Sequence, residues 1–357
     1  MTSPINHRPS TQTVLDGASS DDALARAVAD HRATYQQICD ELAKSIVGME
    51  DVIEQLMIAI LCRGHCILQG MPGLAKTLLI SQLAQLMEMS FSRIQFTPDL
   101  MPADITGGEV LEEDRTTGKR AFRFVKGPVF SHFLLADEIN RTPPKSQSAL
   151  LEAMEERQLS IAGTTHRLPD PFFVLATQNP VEVEGTYPLP EAQLDRFLLK
   201  IHVNYPSRDA ELEICRRAAR RDSHKLRPVL TAEKLLAMQD LTRRVVVGEQ
   251  VFAAAVDLVR MTRPEEGLLP ASLQPYIQYG GGPRASLALV SAARARALLQ
   301  GRHHATTKDV LSVAKPVLRH RIIPTFNAES DGFDADVLIE KLISHATKKA
   351  VTPPPKA

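Results

Sequence analysis

Lys76-Thr77 follows a glycine-rich turn, Gly70-Met71-Pro72-Gly73-Leu74-Ala75, and the turn ends a short apolar run from His65 to Gln69. The next segment, Leu78 to Met87, is apolar nearly all round, as a helix buried against a sheet would be. Strand, glycine turn, Lys-Thr, helix is the context a phosphate-binding loop requires. A helix N-terminus offers unpaired N–H groups and roughly half a positive charge of dipole, so polyphosphate can sit there. Lys76 would reach the terminal phosphates, and the Thr77 hydroxyl would ligate Mg²⁺. The strict pattern has a second glycine where this chain has Ala75. Alanine adopts positive φ only at a cost of roughly 1–2 kcal/mol. The expectation is therefore an ordinary backbone at Ala75, with Gly73 supplying the flexibility.

A second chemical element is Leu134-Leu135-Ala136-Asp137-Glu138, an apolar strand ending in two adjacent acids. Carboxylates at a buried strand end must be paired or bound to metal. At the carboxyl edge of a parallel sheet they would lie beside the phosphate loop. Asp137 would then hold Mg²⁺ through water, and Glu138 would polarise the attacking water as general base. Asp137 as a helix N-cap is the plainer alternative. The third element, Ala176-Thr177-Gln178-Asn179-Pro180, would bring the Asn179 amide to the same edge, where it could position water near a γ-phosphate; Asn-Pro is also a common turn. In Leu189 to Phe197, Arg196 stands just before a strand. Gly280-Gly281-Gly282-Pro283-Arg284 puts Arg284 in the first turn of a helix, where a cation opposes the dipole and a nearby anion would explain it. Taken singly, both arginines also read as surface salt-bridge formers.

These residues need a sheet to bring them together. Phe91–Phe96, His132–Ala136, Phe172–Ala176 and Phe197–Ile201 read as strands beside the one before the glycine turn. Helical segments, notably Pro144 to Glu156, lie between most of them, which argues for a parallel sheet covered on both faces. Two inserts read as β-hairpins: Glu109–Asp114 with Arg120–Val125, turning through Arg115 to Gly118, and Gln158–Ile161 with Thr164–Leu168. Either could be decoration on a sheet edge. Ahead of the central strand come helical periodicity from Asp21 and a second helix, Val52 to Leu61. Between them Ile46-Val47-Gly48-Met49-Glu50 is a linker or a wall for an adenine. Beyond Pro206 the strands stop, and Arg208–Arg221, Thr231–Val245, Glu249–Thr262, Arg284–Leu299 and Thr307–Leu318 read as helices. The expected division is a disordered tail at 1–20, an α/β nucleotide-binding core at 21–204, an all-α domain at 205–350 and a disordered tail at 351–357.

Composition narrows the class. The chain has 357 residues, 44% hydrophobic and 24% charged, as in an ordinary globular protein of two domains. Lys+Arg and Asp+Glu balance at 42 each, so no global field draws it to nucleic acid or anionic membrane. No apolar run approaches a membrane span, and no basic-then-apolar leader opens the sequence. The four cysteines form no C-x-x-C pair and read as reduced core thiols, so the expected location is the cytoplasm.

The order and spacing of these elements resemble the AAA+ ATPases, and in detail their MoxR branch. The likeness rests on Ile46-Val47-Gly48, Gly70 to Thr77, Asp99 to Gly107, Leu134 to Arg141, Leu151 to Arg157 and Ala176 to Phe197, and it covers roughly Glu41 to Ile343. That branch usually carries alanine where Ala75 stands; Met71 and Met49, in place of Val and Gln, are mild departures. The resemblance implies an ATP hydrolase that uses Mg²⁺, with a P-loop AAA+ core followed by an all-α lid. It puts Lys76 and Thr77 on Walker A, Asp137 and Glu138 on Walker B, and Asn179 on sensor 1. Arg196 falls on the arginine finger. Arg284 falls on sensor 2, a position from which it could close on its own nucleotide. The hairpins match the helix-2 and pre-sensor-1 insertions. The family also implies self-association into a ring, usually a hexamer, and chaperone-like remodelling of protein clients with a von Willebrand A-domain partner. Three other readings share the motifs: a nucleic-acid motor, a metal-chelatase ATPase subunit, and a nucleotide-gated scaffold with little turnover. Balanced charge speaks against the first, the Asp-Glu-Ile-Asn-Arg and Leu-Pro-Glu-Ala-Gln runs against the second, and Glu138 against the third.

Overall fold

The computed structural model describes residues 12–113, 120–179, 185–220 and 225–351. Its elements run in the order α1 (Gln12–Ala43), α2 (Glu50–Leu61), β1 (Cys66–Gly70), α3 (Lys76–Leu86), β2 (Phe91–Gln95), α4 (Pro102–Thr106), β3 (Gly107–Glu113) and β4 (Arg120–Lys126). Then come β5 (Phe133–Asp137), α5 (Pro144–Glu156), β6 (Gln158–Ile161), β7 (Thr164–Arg167), β8 (Phe173–Gln178), α6 (Glu191–Leu194) and β9 (Leu199–Val203). The last part holds α7 (Arg208–Arg220), α8 (Ala232–Arg244), α9 (Glu249–Arg260), β10 (Ile277–Tyr279), α10 (Pro283–Leu299), α11 (Thr307–Leu318), β11 (Ile323–Pro324), α12 (Phe326–Ser330) and α13 (Ala335–Val351).

Five strands form one parallel sheet in the order β2-β5-β8-β1-β9. Successive side chains of a strand point to opposite faces, and here both faces are covered. Cys66, Leu68, Phe133, Leu135, Phe173 and Leu175 join one apolar cluster with α1, α2, α3 and the helices after β9. Ile67, Leu134, Ala136, Val174 and Ala176 join another, packed on Leu150, Leu151 and Met154 of α5. This double burial explains why β1, β5 and β8 are near-continuous apolar runs, whereas the outer strands β2 and β9 carry polar residues at alternate positions. All five strands run the same way. The loop after β1, Asp137 at the end of β5 and Asn179 after β8 therefore emerge at one edge, and the residues before β1 and β9 lie at the other.

Both hairpins are present. β3 and β4 pair antiparallel from Gly107↔Lys126 to Glu113↔Arg120, leaving Val110, Leu111, Phe122 and Val125 exposed; their turn, 114–119, lies outside the described residues. β6 and β7 pair from Gln158↔Arg167 to Ile161↔Thr164. The two hairpins touch: the Phe124 ring stacks on His166 at 4.2 Å, and Phe130 meets both rings edge-on.

Three expectations need correction. Residues 12–20 are not a disordered tail; they continue α1, because extending an existing helix costs far less than nucleating one. Residues 1–11 and 352–357 lie outside the described residues. The part after Pro206 is not wholly helical: β10 pairs antiparallel with β11, and strands of three and two residues are too short to show a period in sequence. Finally, Ala75 does not have an ordinary backbone. Its φ of 51° and ψ of 21° are left-handed, beside Gly73 at φ 82°.

Candidate active site

The left-handed Ala75 is the N-cap of α3, and no side chain caps the first turn of that helix. Its leading N–H groups are thus left for a ligand. A Cβ on Gly70 would stand 2.7 Å from the Val203 carbonyl oxygen, so only glycine lets β1 pass β9 and enter the loop at this point. Lys76 Nζ donates to the Gly70 carbonyl over 2.6 Å, folding its side chain back across the loop. Burial pulls the Lys76 ammonium below its ordinary value, and the Asp137 and Glu138 carboxylates pull it back up. The strain of a left-handed alanine, roughly 1–2 kcal/mol, is the cost of aiming this turn inward.

One cavity gathers most of the expected residues. It is lined by Pro72, Gly73, Leu74, Ala75, Lys76, Thr77 and Leu78 from the loop and α3, by Asp137 and Glu138, and by Asn179. Arg93 and Thr177, which the sequence reading did not assign, line it too. Their contacts organise the acids. The Thr177 hydroxyl donates to Asp137 Oδ1 (2.5 Å) and accepts from the Glu138 N–H (2.8 Å). Arg93 Nη2 donates to Asp137 Oδ2 (2.7 Å), while Gln95 Nε2 and Arg141 Nη1 donate to Glu138 Oε2 (2.7 and 3.0 Å). Glu138 has a φ of 57°, and this left-handed turn sends two adjacent acids to different partners. Asp137 is not an N-cap: a short 3-10 turn, Ile139–Arg141, follows Glu138.

The residues fit Mg²⁺ with a bound polyphosphate. Magnesium keeps several waters and uses one or two protein oxygens plus phosphate oxygens. The Thr77 hydroxyl and the Asp137 carboxylate in one cavity are enough, although the described residues hold no cluster of three or more His, Cys, Asp or Glu ligands. Arg93 already brings a positive charge to the Asp137 oxygens.

Arg196 and Arg284 are elsewhere. Both line a second cavity with Gly64, His65, Glu155, Asp195 and Arg321, at the edge where β1 and β9 begin. Arg196 pairs with Glu155 at 3.1 Å; Arg284 stands 3.6 Å from Glu155 and 3.8 Å from Asp195. The anion expected near Arg284 is therefore supplied by the protein's own carboxylates. Arg284 does not line this chain's phosphate-loop cavity, as closure on its own nucleotide would require. Val47, Gly48, Gly70 and Met71 are not among the residues lining that cavity either. A Cβ on Gly48 would stand 3.0 Å from Ala210 Cβ, which puts the turn against the start of α7.

Arg93 and Gln95 could have been suspected in sequence from polar residues at alternate positions of β2; only the register Gln95↔Asp137 shows what they face. No helix among the described residues is long and apolar enough to cross a membrane.

The comparisons with known proteins agree with this geometry. Residues 65–199 match the ATPase family associated with various cellular activities (AAA), and residues 271–342 match the AAA lid domain. Chaperone MoxR1 of Mycobacterium tuberculosis is 41% identical over 319 residues, covering 89% of this chain and 83% of that protein. The uncharacterized protein YeaC of Bacillus subtilis is 40% identical, covering 85% of this chain and 92% of that protein. A crystal structure from Cytophaga hutchinsonii, provisionally described as an ATPase, superposes with a TM-score of 0.82 at 40% identity, over 92% of this chain and 98% of that one. An α/β phosphate-loop core, a helical lid and relatives of this likeness over most of the length lead to one conclusion: the chain belongs to the MoxR family of AAA+ ATPases.

Proposed function

We propose that this chain hydrolyses ATP with Mg²⁺, works as a ring, hexameric as its family implies, and uses the turnover to remodel protein clients in the cytoplasm alongside a von Willebrand A-domain partner. The observation that carries the reading is the division of the site. Lys76, Thr77, Asp137, Glu138 and Asn179 share one cavity, while Arg196 and Arg284 share another at the opposite edge of the sheet. A chain built this way needs a neighbour to bring arginines to its phosphates, and a ring supplies one.

In this reading the open N-terminus of α3 holds the phosphates and Lys76 swings from the Gly70 carbonyl onto them. Thr77 and Asp137 hold the cation, which when bound neutralises charge on the phosphate oxygens. Glu138 accepts the proton of the attacking water, and Asn179 orients that water. Arg196 and Arg284 of the adjacent subunit neutralise charge spreading over the transferring phosphoryl group. Protein clients rather than nucleic acid are favoured by the exposed Val110, Leu111, Phe122 and Val125 of the first hairpin and by the balanced charge.

The test is ATP turnover by the purified protein and its variants. Lys76→Ala should lose ATP binding, and Glu138→Gln should keep ATP and lose turnover. Arg196→Ala should bind ATP but hydrolyse it poorly, and should regain activity when mixed with Lys76→Ala. Turnover per subunit that stays high where the protein is monomeric would defeat the shared site. Capture with Glu138→Gln in ATP that yields DNA alone would defeat the protein-remodelling reading.

A further inference from the structure

Arg196 stands in the short stretch between α6 and β9, where its own neighbourhood accepts turn hydrogen bonds from the N–H groups, from Arg196 to the Gln193 carbonyl (3.2 Å) and from Phe197 to the Leu194 carbonyl (3.0 Å). The lid holds the carbonyls of this stretch. Arg321, three residues past the end of α11, is almost wholly buried, its side chain 4% exposed. All five of its N–H donors are used. Nε donates to Asp195 Oδ1 (2.7 Å), and Nη2 to the carbonyls of Phe197 (2.8 Å) and Asp195 (3.3 Å). Nη1 donates to the Leu198 carbonyl (3.1 Å) and to that of Val317 near the end of α11. Beside it, His320 Nε2 donates to the Phe197 carbonyl at 3.0 Å. The carbonyls on both sides of Arg196 are therefore held by one guanidinium.

A guanidinium presents five donors in a rigid planar fork, and lysine offers a single flexible ammonium. Burying such a charge for stability alone is a poor bargain, because a well-packed apolar residue often does as well. A fork clamped to the backbone immediately before and after a guanidinium that must meet a partner's phosphate has a different use: it sets where that guanidinium points. We infer that Arg321 is a positioning residue for Arg196, so that the lid of each subunit aims the arginine its own chain presents to the neighbour's nucleotide. The inference rests on the shared-site reading proposed above.

If so, loosening Arg321 damages the arginine-donating side of a subunit and spares its nucleotide-binding side. Arg321→Lys should bind ATP with about wild-type affinity while its kcat falls about 10-fold to 100-fold, the scale expected when a reacting group is misplaced by about 1 Å. The decisive readout is complementation in mixed rings. Arg321→Lys should recover activity when mixed with Lys76→Ala, which brings an intact Arg196 and Arg321. It should gain nothing when mixed with Arg196→Ala, because neither chain then donates a well-placed arginine. A subunit that was merely unstable would fail in both mixtures. Asp195→Asn, which removes one charge and leaves the carbonyls in place, repeats the test if lysine loosens the fold, and should give the same pattern. The control is Arg196→Ala with Lys76→Ala. If that pair does not recover activity despite co-assembly, the shared-site reading falls and this inference with it. If the control recovers, but the Arg321 variant complements Arg196→Ala or fails to complement Lys76→Ala, the positioning role alone is overturned.

Discussion

The hydroxyl of Thr177 lies 2.5 Å from Asp137 Oδ1, and the N–H of the next residue, Glu138, donates back to the same hydroxyl over 2.8 Å. One threonine on β8 thus fixes both the carboxylate expected at the cation and the left-handed turn that presents the expected base. Thr177→Val keeps the shape and removes both bonds, leaving the Glu138 N–H without that partner. The expected cost is about 1–3 kcal/mol of stability, with kcat falling more than ATP affinity. Thr177→Ser should retain both. Thermal melts and steady-state kinetics of the pair check this; wild-type kcat in the valine variant would contradict it.

Ala75 gives a second prediction. A left-handed alanine is strained by roughly 1–2 kcal/mol, and glycine relieves that strain while adding freedom to the unfolded chain. Ala75→Gly should therefore change stability by less than about 1 kcal/mol and keep ATP binding. Ala75→Val adds branching at the same φ of 51° and should weaken ATP binding, because the turn must reshape to accept it. Melting temperatures with and without ATP decide the matter. A glycine variant that loses ATP affinity would mean that the Ala75 methyl itself contacts the nucleotide.

The hairpin joint gives a third. Phe124 stacks on His166 at 4.2 Å and meets Phe130 edge-on at 5.7 Å, so the two inserts share an aromatic contact although each is paired only within itself. Two-stranded hairpins are marginal alone, and aromatic pairs add about 0.5–1.5 kcal/mol beyond the area they bury. Phe124→Ala should raise amide exchange in both hairpins and leave ATP binding unchanged. Exchange that rises in the first hairpin only would show that they are independent.

What was legible in the sequence follows from how local each signal is. The glycine turn, Lys76-Thr77 and Asp137-Glu138 are contiguous, and their chemistry follows from type and order. The parallel sheet is legible because helical segments lie between most of the strands. Arg93, Gln95 and Thr177 look like ordinary strand residues, and only strand register brings them to the acids. Arg321 and Asp195 are 126 residues apart, with no local pattern linking them. Arg284 was legible as a cation seeking an anion, but which anion depended on the lid's packing. The left-handed Ala75 ran against its own residue preference, as strained functional turns do.

Acid should weaken the fold in a window set by its buried histidines. His65 accepts the Val174 N–H at Nδ1 (3.0 Å) and bonds the Met154 carbonyl through Nε2 (3.3 Å), so it joins β1, β8 and α5 as a neutral ring. Burial pushes it down to about 4, and burial together with Arg321 pushes His320, at the junction of lid and core, well below its usual 6.5. An unfolded chain protonates these rings near 6.5, whereas the folded chain resists until about pH 4 for His65. Between those values the unfolded state binds more protons, so stability rises with pH there and falls as pH drops. The contribution is present above about pH 6.5 and lost as the medium reaches the folded value. For His65 a shift of this size is worth on the order of 3 kcal/mol. The melting temperature should therefore fall between pH 7 and pH 4.5, with proton uptake on unfolding. His65→Asn, which can also donate and accept but does not titrate, should flatten that slope even if it lowers stability at pH 7. A melting temperature constant from pH 7 to pH 5, or a His65→Asn slope equal to wild type, would show that these rings are not what couples the fold to protons.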